Sequence, residues 1–285
     1  MKLYAISDLH VGYDKNWQAL QAITPRPEDW LIVAGDVGET FEQLRDVFGL
    51  LRPRFAKVIW VPGNHELWTH PTCENSDRGV ARYQALVELM RGLGVLTPED
   101  AFEHFADDLV VCPLFVGFDY SFSPEGSTPD EARAWARQAG IVSMDERLLH
   151  PDPHPTLSAW CKARLAHTRE RLDALPDDVD TVLIHHWPLR QDLVRLPEKV
   201  ERFSPWCGTR ETEDWHLRYR ARVVVNGHLH MRATDWRDHV RFEEVAIGYP
   251  RHWHVDRGID RYVRQIVPGT ATRPATGEGG PEWHR

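Results

Sequence analysis

Residues 30–66 read WLIVAGDVGETFEQLRDVFGLLRPRFAKVIWVPGNHE. An aliphatic run at 30–34 ends in Gly35-Asp36, a stretch of helical period occupies 41–51, and a second aliphatic run at 57–61 ends in Gly63-Asn64-His65-Glu66. Strand, helix and strand within about 30 residues is a βαβ unit, and its crossover helix makes the two strands parallel. Nearly continuous apolar strands of this kind belong to a sheet buried on both faces.

Working outward, residues 2–7 read as an earlier strand and 17–23 as the helix that joins it to the next, so the unit repeats. Ligand sites in such α/β sheets gather at the carboxyl ends of the strands. Asp8, Asp36 and Asn64 each follow a strand, and each lies 28 residues after the last. Equal spacing at the period of the βαβ unit brings the three side chains to one edge of the sheet. Further along, 78–93 reads as helix and 109–118 as strand. Residues 119–155, rich in Pro, Ser and acidic side chains around a short helix at 130–139, read as an insertion that could form a lid. Residues 156–175 return to helical period, while 181–184, 222–225 and 240–247 read as strands. The organisation expected is a domain over 1–267 with an insertion at about 119–155, followed by a flexible tail at 268–285 rich in Pro, Gly and Thr.

The chain has 285 residues, 34 Lys and Arg against 43 Asp and Glu, and a formal charge of −9. With 42% hydrophobic and 27% charged residues it has the balance of a globular protein, which removes collagen-like, coiled-coil and wholly disordered readings. The longest nearly uncharged apolar stretch, 109–118, is about half the length a membrane-crossing helix needs, and no signal peptide precedes the first strand. A cytoplasmic protein with no membrane partner is expected. Cys73, Cys112, Cys161 and Cys207 are scattered with no C-x-x-C pair, which argues for buried thiols rather than disulfides or a thiolate zinc site. The acidic balance also argues against a nucleic-acid partner, and the short cluster Arg218, Arg220, Arg222 reads as solvated helix ends.

The chemistry concentrates in turns: Asp8-Leu9-His10, Gly35-Asp36, Gly63-Asn64-His65-Glu66, His185-His186 and Gly227-His228-Leu229-His230. Residues i and i+2 of an extended chain point the same way, so Asp8 with His10, and His228 with His230, can each present two ligands to one place. The glycines before Asp36, Asn64 and His228 permit tight turns. Gathering two carboxylates, an amide and several imidazoles at one sheet edge without a cation would cost several kcal/mol in desolvation and repulsion, about what a bound metal relieves. Oxygen and nitrogen donors without thiolate suit Mn, Fe, Zn, Co or Ni rather than Ca²⁺ or Cu(I). Two such divalent or trivalent ions against two carboxylates leave excess positive charge, which attracts phosphate and acidifies water.

The ordered series D-x-H, G-D, G-N-H-E, H and G-H-x-H, carried by Asp8/His10, Gly35/Asp36, Gly63 to Glu66, His185 and Gly227 to His230, resembles the calcineurin-like metallophosphoesterase superfamily over residues 8–230. The resemblance implies an α/β fold: a four-layer αββα sandwich of two mixed β-sheets flanked by helices, with a dinuclear metal centre at the sheet edge. Carried over, it implies that Asp8, His10, Asp36 and His230 hold one ion. Asp36, Asn64, His185 and His228 would hold the other, with His186 the alternative to His185. It further implies hydrolysis of a phosphomonoester or phosphodiester, in a small phosphorylated metabolite or nucleotide, by in-line attack of a metal-bridging hydroxide. Asp36 would act as the bridge and His65 as the acid beside the leaving group. Glu66 would be structural. Tyr13, Asn16, His186, Arg190, His252 and His254 are further candidates for substrate contact, and Trp135, Trp160, Trp187, Trp206 and Trp253 for a cleft wall.

After Gly35-Asp36 the chain continues Val37-Gly38-Glu39-Thr40 instead of the G-D-x-x-D-R-G of the protein serine/threonine phosphatases, which argues against protein phosphatase activity. The competing readings are a catalytically inert scaffold of the same fold, which usually loses ligands that this chain retains, and a nuclease, which needs a basic groove.

Overall fold

The computed structural model describes residues 1–71 and 77–284. Cys73 lies outside them; Cys112, Cys161 and Cys207 are free and buried, as the sequence suggests. Strands β1 (Leu3–Ile6), β2 (Arg26–Val33) and β3 (Phe55–Trp60) run parallel. Helices Asp14–Gln21 and Phe41–Leu51 make the crossovers. The second helix starts where the sequence supplies a reciprocal cap: the Thr40 hydroxyl accepts from the Gln43 amide while the Gln43 side chain accepts from the Thr40 N–H.

A second sheet follows from β4 (Glu103–Ala106), β5 (Leu109–Pro113), β6 (Asp180–Ile184), β7 (Ala221–Asn226), β8 (Ala233–Arg237) and β9 (Val240–Glu244). Strand β10 (Arg264–Val267) returns antiparallel to β1 in the first sheet, giving the order β10-β1-β2-β3. With β11 (Gly279–Trp283), the second sheet has the order β11-β8-β9-β7-β6-β5-β4. Its centre, β5, β6, β7 and β9, is parallel, and β4, β8 and β11 pair antiparallel. Both sheets are therefore mixed.

Alternation along the strands stacks the layers. Trp30, Ile32 and Ala34 join Val182, Ile184, Val223 and Val225 in one apolar cluster between the sheets. The residues of opposite parity face outward: Leu31 and Val33 pack with Val47, Phe48 and Leu86 of the helices over the first sheet, and Leu183 and Val224 pack with Leu165 and Trp215 over the second. A strand's period of two thus feeds two interfaces at once, and the result is helix, sheet, sheet, helix. At the site end the sheets are stitched together, since Ser7 N–H donates to Val245 O and Ile247 N–H donates to Ser7 O.

Three expectations change. The strand expected at 109–118 stops at Pro113, and the chain beyond it turns across the site end, where Val116 N–H donates to the His185 ring. The tail expected to be loose supplies β11, with Trp283 registered on Ala233. Its Gly and Pro content misleads because an edge strand tolerates both. Of the arginine cluster, Arg218 ends a short helix as expected but Arg222 lies on β7; both stay exposed while pairing with acids, Arg218 with Asp173 at 3.0 Å and Arg222 with Asp180 at 2.7 Å and with Asp108.

Candidate metal centre

The carboxyl ends of β1, β2, β3, β6 and β7 bring the candidate residues together in a buried cluster. Ligand atoms of Asp8, His10, Asp36 and His230 lie within 4.8 Å of one another, and so do those of Asp36, His186 and His228. Asp36 belongs to both sets. Asp8, His10, Asp36, His228 and His230 all have positive φ, five of the ten non-glycine residues that do so among those described. Each such residue costs about 1–3 kcal/mol, a cost that clusters where side chains must be aimed rather than merely packed.

Glycine serves the site in two ways. Gly35 has φ +86°, the backbone freedom the sequence suggests. Gly63 is needed for clearance instead: its φ is −96°, but a Cβ there would lie 2.2 Å from Asp36 Oδ1. Gly227 is similar, with a Cβ position 2.3 Å from Asp8 Oδ2. Glu66, fully buried, fastens two of the turns by accepting from the backbone N–H groups of Asp36 (3.0 Å), Val37 (2.9 Å) and Gly63 (3.0 Å). Its role is structural.

The histidine after β6 that faces the cluster is His186. Its Nδ1–H donates to Ala34 O at 2.8 Å, leaving Nε2 3.5 Å from Asp36 Oδ2 and 3.2 Å from His228 Nδ1. His185 does not join: its Nδ1–H donates to Trp187 O and its Nε2 accepts from Val116 N–H, so both nitrogens are spent on backbone. The expectation that placed His185 in the ligand set is therefore corrected to His186.

Electrostatics fit a cation site. Burial opposes ionisation of Asp8 and Asp36, yet nearby histidines outweigh it; His230 holds Asp8 at about 2, and His186 and His65 hold Asp36 well below the usual carboxylate range. Burial holds His10 and His228 down at about 3, so both present neutral imidazole, the form that ligates metal. One buried oxygen of the set, Asn64 Oδ1, has no hydrogen-bond partner, while His228 brings its Nδ1 to the cluster, 3.2 Å from His186 Nε2. An orphaned acceptor of this kind costs about 1–3 kcal/mol, which a cation would recover. Asn64 is also held: its Nδ2 donates to Asp145 Oδ1 at 3.0 Å, which fixes the amide and leaves Oδ1 as its free acceptor. The residues present thus fit two ions sharing Asp36.

His65 sits beside the cluster, its Nε2 3.8 Å from Asp36 Oδ2, too far for a hydrogen bond. Its Nδ1 lies 3.0 Å from Glu39 Oε1, and its ring packs at 3.8 Å on Trp68. Burial works against its charge, but Asp36 and Glu39 outweigh burial and raise it to about 9. The proton on Nδ1 is committed to Glu39, and the one on Nε2 is free to move.

The sequence profile of the family described as calcineurin-like phosphoesterase matches residues 1–232. This chain belongs to the calcineurin-like phosphoesterase family. Its activity class follows: it is a metal-dependent hydrolase of phosphate esters, and the two mixed sheets flanked by helices are the family's fold. A curated relative, "[Acyl-carrier-protein] phosphodiesterase PptH" of Mycobacterium tuberculosis (strain ATCC 25618 / H37Rv), is 47% identical over 280 residues, which is 95% of this chain and 85% of the relative. The crystal structure of Phosphopantetheinyl Hydrolase (PptH) from Mycobacterium tuberculosis is similar with a TM-score of 0.90 and 45% identity, over 96% of this chain and 98% of that one.

Within this phosphoesterase several residues emerge that sequence reading passes over. Glu39 holds His65 and, at 2.8 Å, His70 Nε2. Asp145, in the segment expected as a lid, also accepts from Trp68 Nε1 at 2.6 Å, so part of that segment supports the site from beneath. Tyr249 packs on His10 with ring centroids 4.5 Å apart. Of the candidates for substrate contact, His252 lies with Nδ1 3.0 Å from His230 Nδ1. Asn16 is structural, donating to Leu9 O and Gly248 O, and Arg190 is paired with Asp192. Trp253 lines a groove beside the cluster, whereas Trp160, Trp187 and Trp206 fill core.

Proposed function

We propose that this phosphoesterase is a phosphodiesterase that frees a phosphopantetheinyl group from a carrier protein, using two transition-metal ions. One ion would be held by Asp8, His10, Asp36 and His230, and the other by Asp36, Asn64, His186 and His228. The observation that carries the metal reading is the pair of donor sets meeting at Asp36, together with the unpartnered Asn64 Oδ1. The diester reading rests on similarity to a protein named for that activity. A groove of about 880 Å³ opening beside His228 and His230, a volume within the range of small-molecule sites, adds to it. Its lining mixes apolar side chains such as Val200, Phe203 and Met231 with Arg251 and His254, a combination suited to a chain of methylenes and amides.

When bound, the ions supply an acidified water and neutralise the phosphate oxygens. The protein's own part begins with orientation: Asp145 fixes Asn64, and the Ala34 carbonyl fixes His186. Glu39 holds His65 by Nδ1, so that Nε2 can deliver its proton to the departing alkoxide. Cation binding at Asp36 would screen the carboxylate that now raises His65, bringing its proton affinity closer to neutrality, where an acid works best. Oxygen and nitrogen donors without thiolate favour Mn, Fe, Zn, Co or Ni. The reading includes a cytoplasmic location, supported by buried cysteines left as thiols.

Incubating metal-loaded protein with phosphopantetheinylated carrier protein should release 4′-phosphopantetheine, detectable by mass spectrometry. Hydrolysis of bis(p-nitrophenyl) phosphate without any release from carrier protein would remove the substrate part of this reading and leave the phosphoesterase intact.

A further inference from the structure

Two cavities flank the donor cluster. The groove of about 880 Å³ lies on the side of His228 and His230, walled by Ile141, Val200, Phe203, Met231 and Trp253. A smaller, open-mouthed hollow of about 400 Å³ lies on the side of His10 and His65, lined by Tyr13, Glu39 and Trp68. Among the described residues Tyr249 alone lines both. Its ring stands over the donors, with centroids 4.5 Å from His10, 5.0 Å from His230 and 5.5 Å from Tyr13. The Arg251 guanidinium covers the ring at 5.1 Å, which steadies it. A ring in that position leaves a phosphate at the cluster two ways out, one to each side.

We propose that Tyr249 partitions the site, so that a phosphodiester lies across it with its elongated branch in the larger groove and its departing alcohol in the hollow of His65. The inference rests on the phosphodiesterase reading and adds to it where each branch lies and which residue keeps the diester from binding the other way round. Water contributes its oxygen to phosphorus. The P–O bond on the His65 side breaks, its electron pair stays on the alcohol oxygen, and that oxygen takes the proton from His65 Nε2; the proton lost by water returns to His65 through solvent. The other P–O bond is untouched, so the phosphate stays on the branch in the groove. Tyr249 touches substrate as a wall and needs its ring rather than its hydroxyl. It is a positioning residue that sets the polarity of cleavage.

The test uses two unsymmetrical dialkyl diesters, pantetheine 4′-phosphate esterified to N-acetylserinamide and n-hexyl phosphate esterified to the same serine. Products are read by mass spectrometry, and metal content is measured for every variant. The wild type should yield the phosphorylated long branch and free serinamide in about tenfold or greater excess, the discrimination an apolar pocket supplies. Tyr249→Phe should keep that ratio. Tyr249→Ala, with Tyr249→Leu as a second variant should the first not fold, should let the diester bind both ways round and bring the ratio to within about twofold. Phosphoserinamide as the main wild-type product, an unchanged ratio in Tyr249→Ala or Tyr249→Leu, or failure of the metal-loaded wild type to cleave either diester overturns the partition. Cleavage of the hexyl diester alone defeats only the pantetheinyl reading, because the product ratio on that diester still decides the partition. Calorimetric titration of pantetheine into metal-free protein gives a readout without turnover. Val200→Arg should weaken binding by about tenfold and Tyr13→Arg should not; equal weakening by both contradicts the assignment of the arm to the groove.

Discussion

Replacing Gly63 by alanine tests how the site is built, because the change adds one methyl group and removes no ligand. The new Cβ would fall 2.2 Å from Asp36 Oδ1 and 2.6 Å from Asp36 N, both well inside the 3.0 Å limit that real Cβ contacts respect. Asp36 Oδ1 must therefore retreat by roughly 0.8 Å, and the backbone of its turn must follow. Relief is difficult, since Asp36 N–H and Gly63 N–H are both anchored on Glu66 Oε2. Overpacking at such a site costs about 1–3 kcal/mol of stability. A shift of this size in the side chain common to both donor sets should cost about 10²-fold in kcat/KM. The assay is metal content by elemental analysis, kcat/KM on bis(p-nitrophenyl) phosphate and a thermal melt. Gly49→Ala serves as the control, because its Cβ would meet nothing within 4 Å in the helix Phe41–Leu51 and should stabilise the protein by about 0.5–1 kcal/mol. A Gly63→Ala protein with wild-type metal content and rate would show that Asp36 is not held where the close approach requires it, and the account of the turn would fail.

Three further outcomes follow from the geometry. His186→Ala should lose metal while His185→Ala keeps it and lowers only thermal stability; the reverse pattern in elemental analysis would restore His185 to the site. Asp145→Ala removes the oxygen to which Trp68 and Asn64 both donate, so Asn64 loses its orientation; metal affinity in a chelator competition should fall by about 10–100-fold, and an unchanged affinity would make Asp145 merely structural. His65→Ala should retain its metals and lose about 10²–10⁴ in kcat, with less loss on a p-nitrophenyl ester, whose leaving group needs little protonation. Loss of the metals instead would make His65 a support for the ligands.

What the sequence makes legible here is whatever strand geometry repeats. Asp8, Asp36 and Asn64 are spaced by the length of a βαβ unit, whereas His228 and His230 reach the cluster from left-handed backbone beyond β7 rather than from the extended chain that the G-H-x-H spacing suggests. The choice between His185 and His186 turns on parity. Val182 and Ile184 face the space between the sheets and Leu183 faces the outer helices, so position 186 continues towards the first sheet and Ala34, while 185 turns to Val116. That inference requires knowing which face of β6 is which, and a strand buried on both faces hides it. Asp145 and Tyr249 carry no signal of their own, because one opens a single-turn helix inside the inserted segment and the other sits in a bend, and the path of both depends on tertiary packing. Glu39 stands three residues after Asp36 and is visible only once His65 is seen to need an anchor. The clearance glycines are legible as glycines, but their reason is not, since Gly63 Cα lies close to a side chain from another turn.

The central claim is that Asp36 joins two donor sets that each hold a transition-metal ion. Protein purified from medium supplemented with Mn, Fe and Zn, alongside Asp36→Asn, should be measured for bound metal per folded chain. The account predicts close to two ions in the wild type and loss at both sites in the variant. Wild-type protein carrying none after loading, or a variant that keeps both, would contradict it.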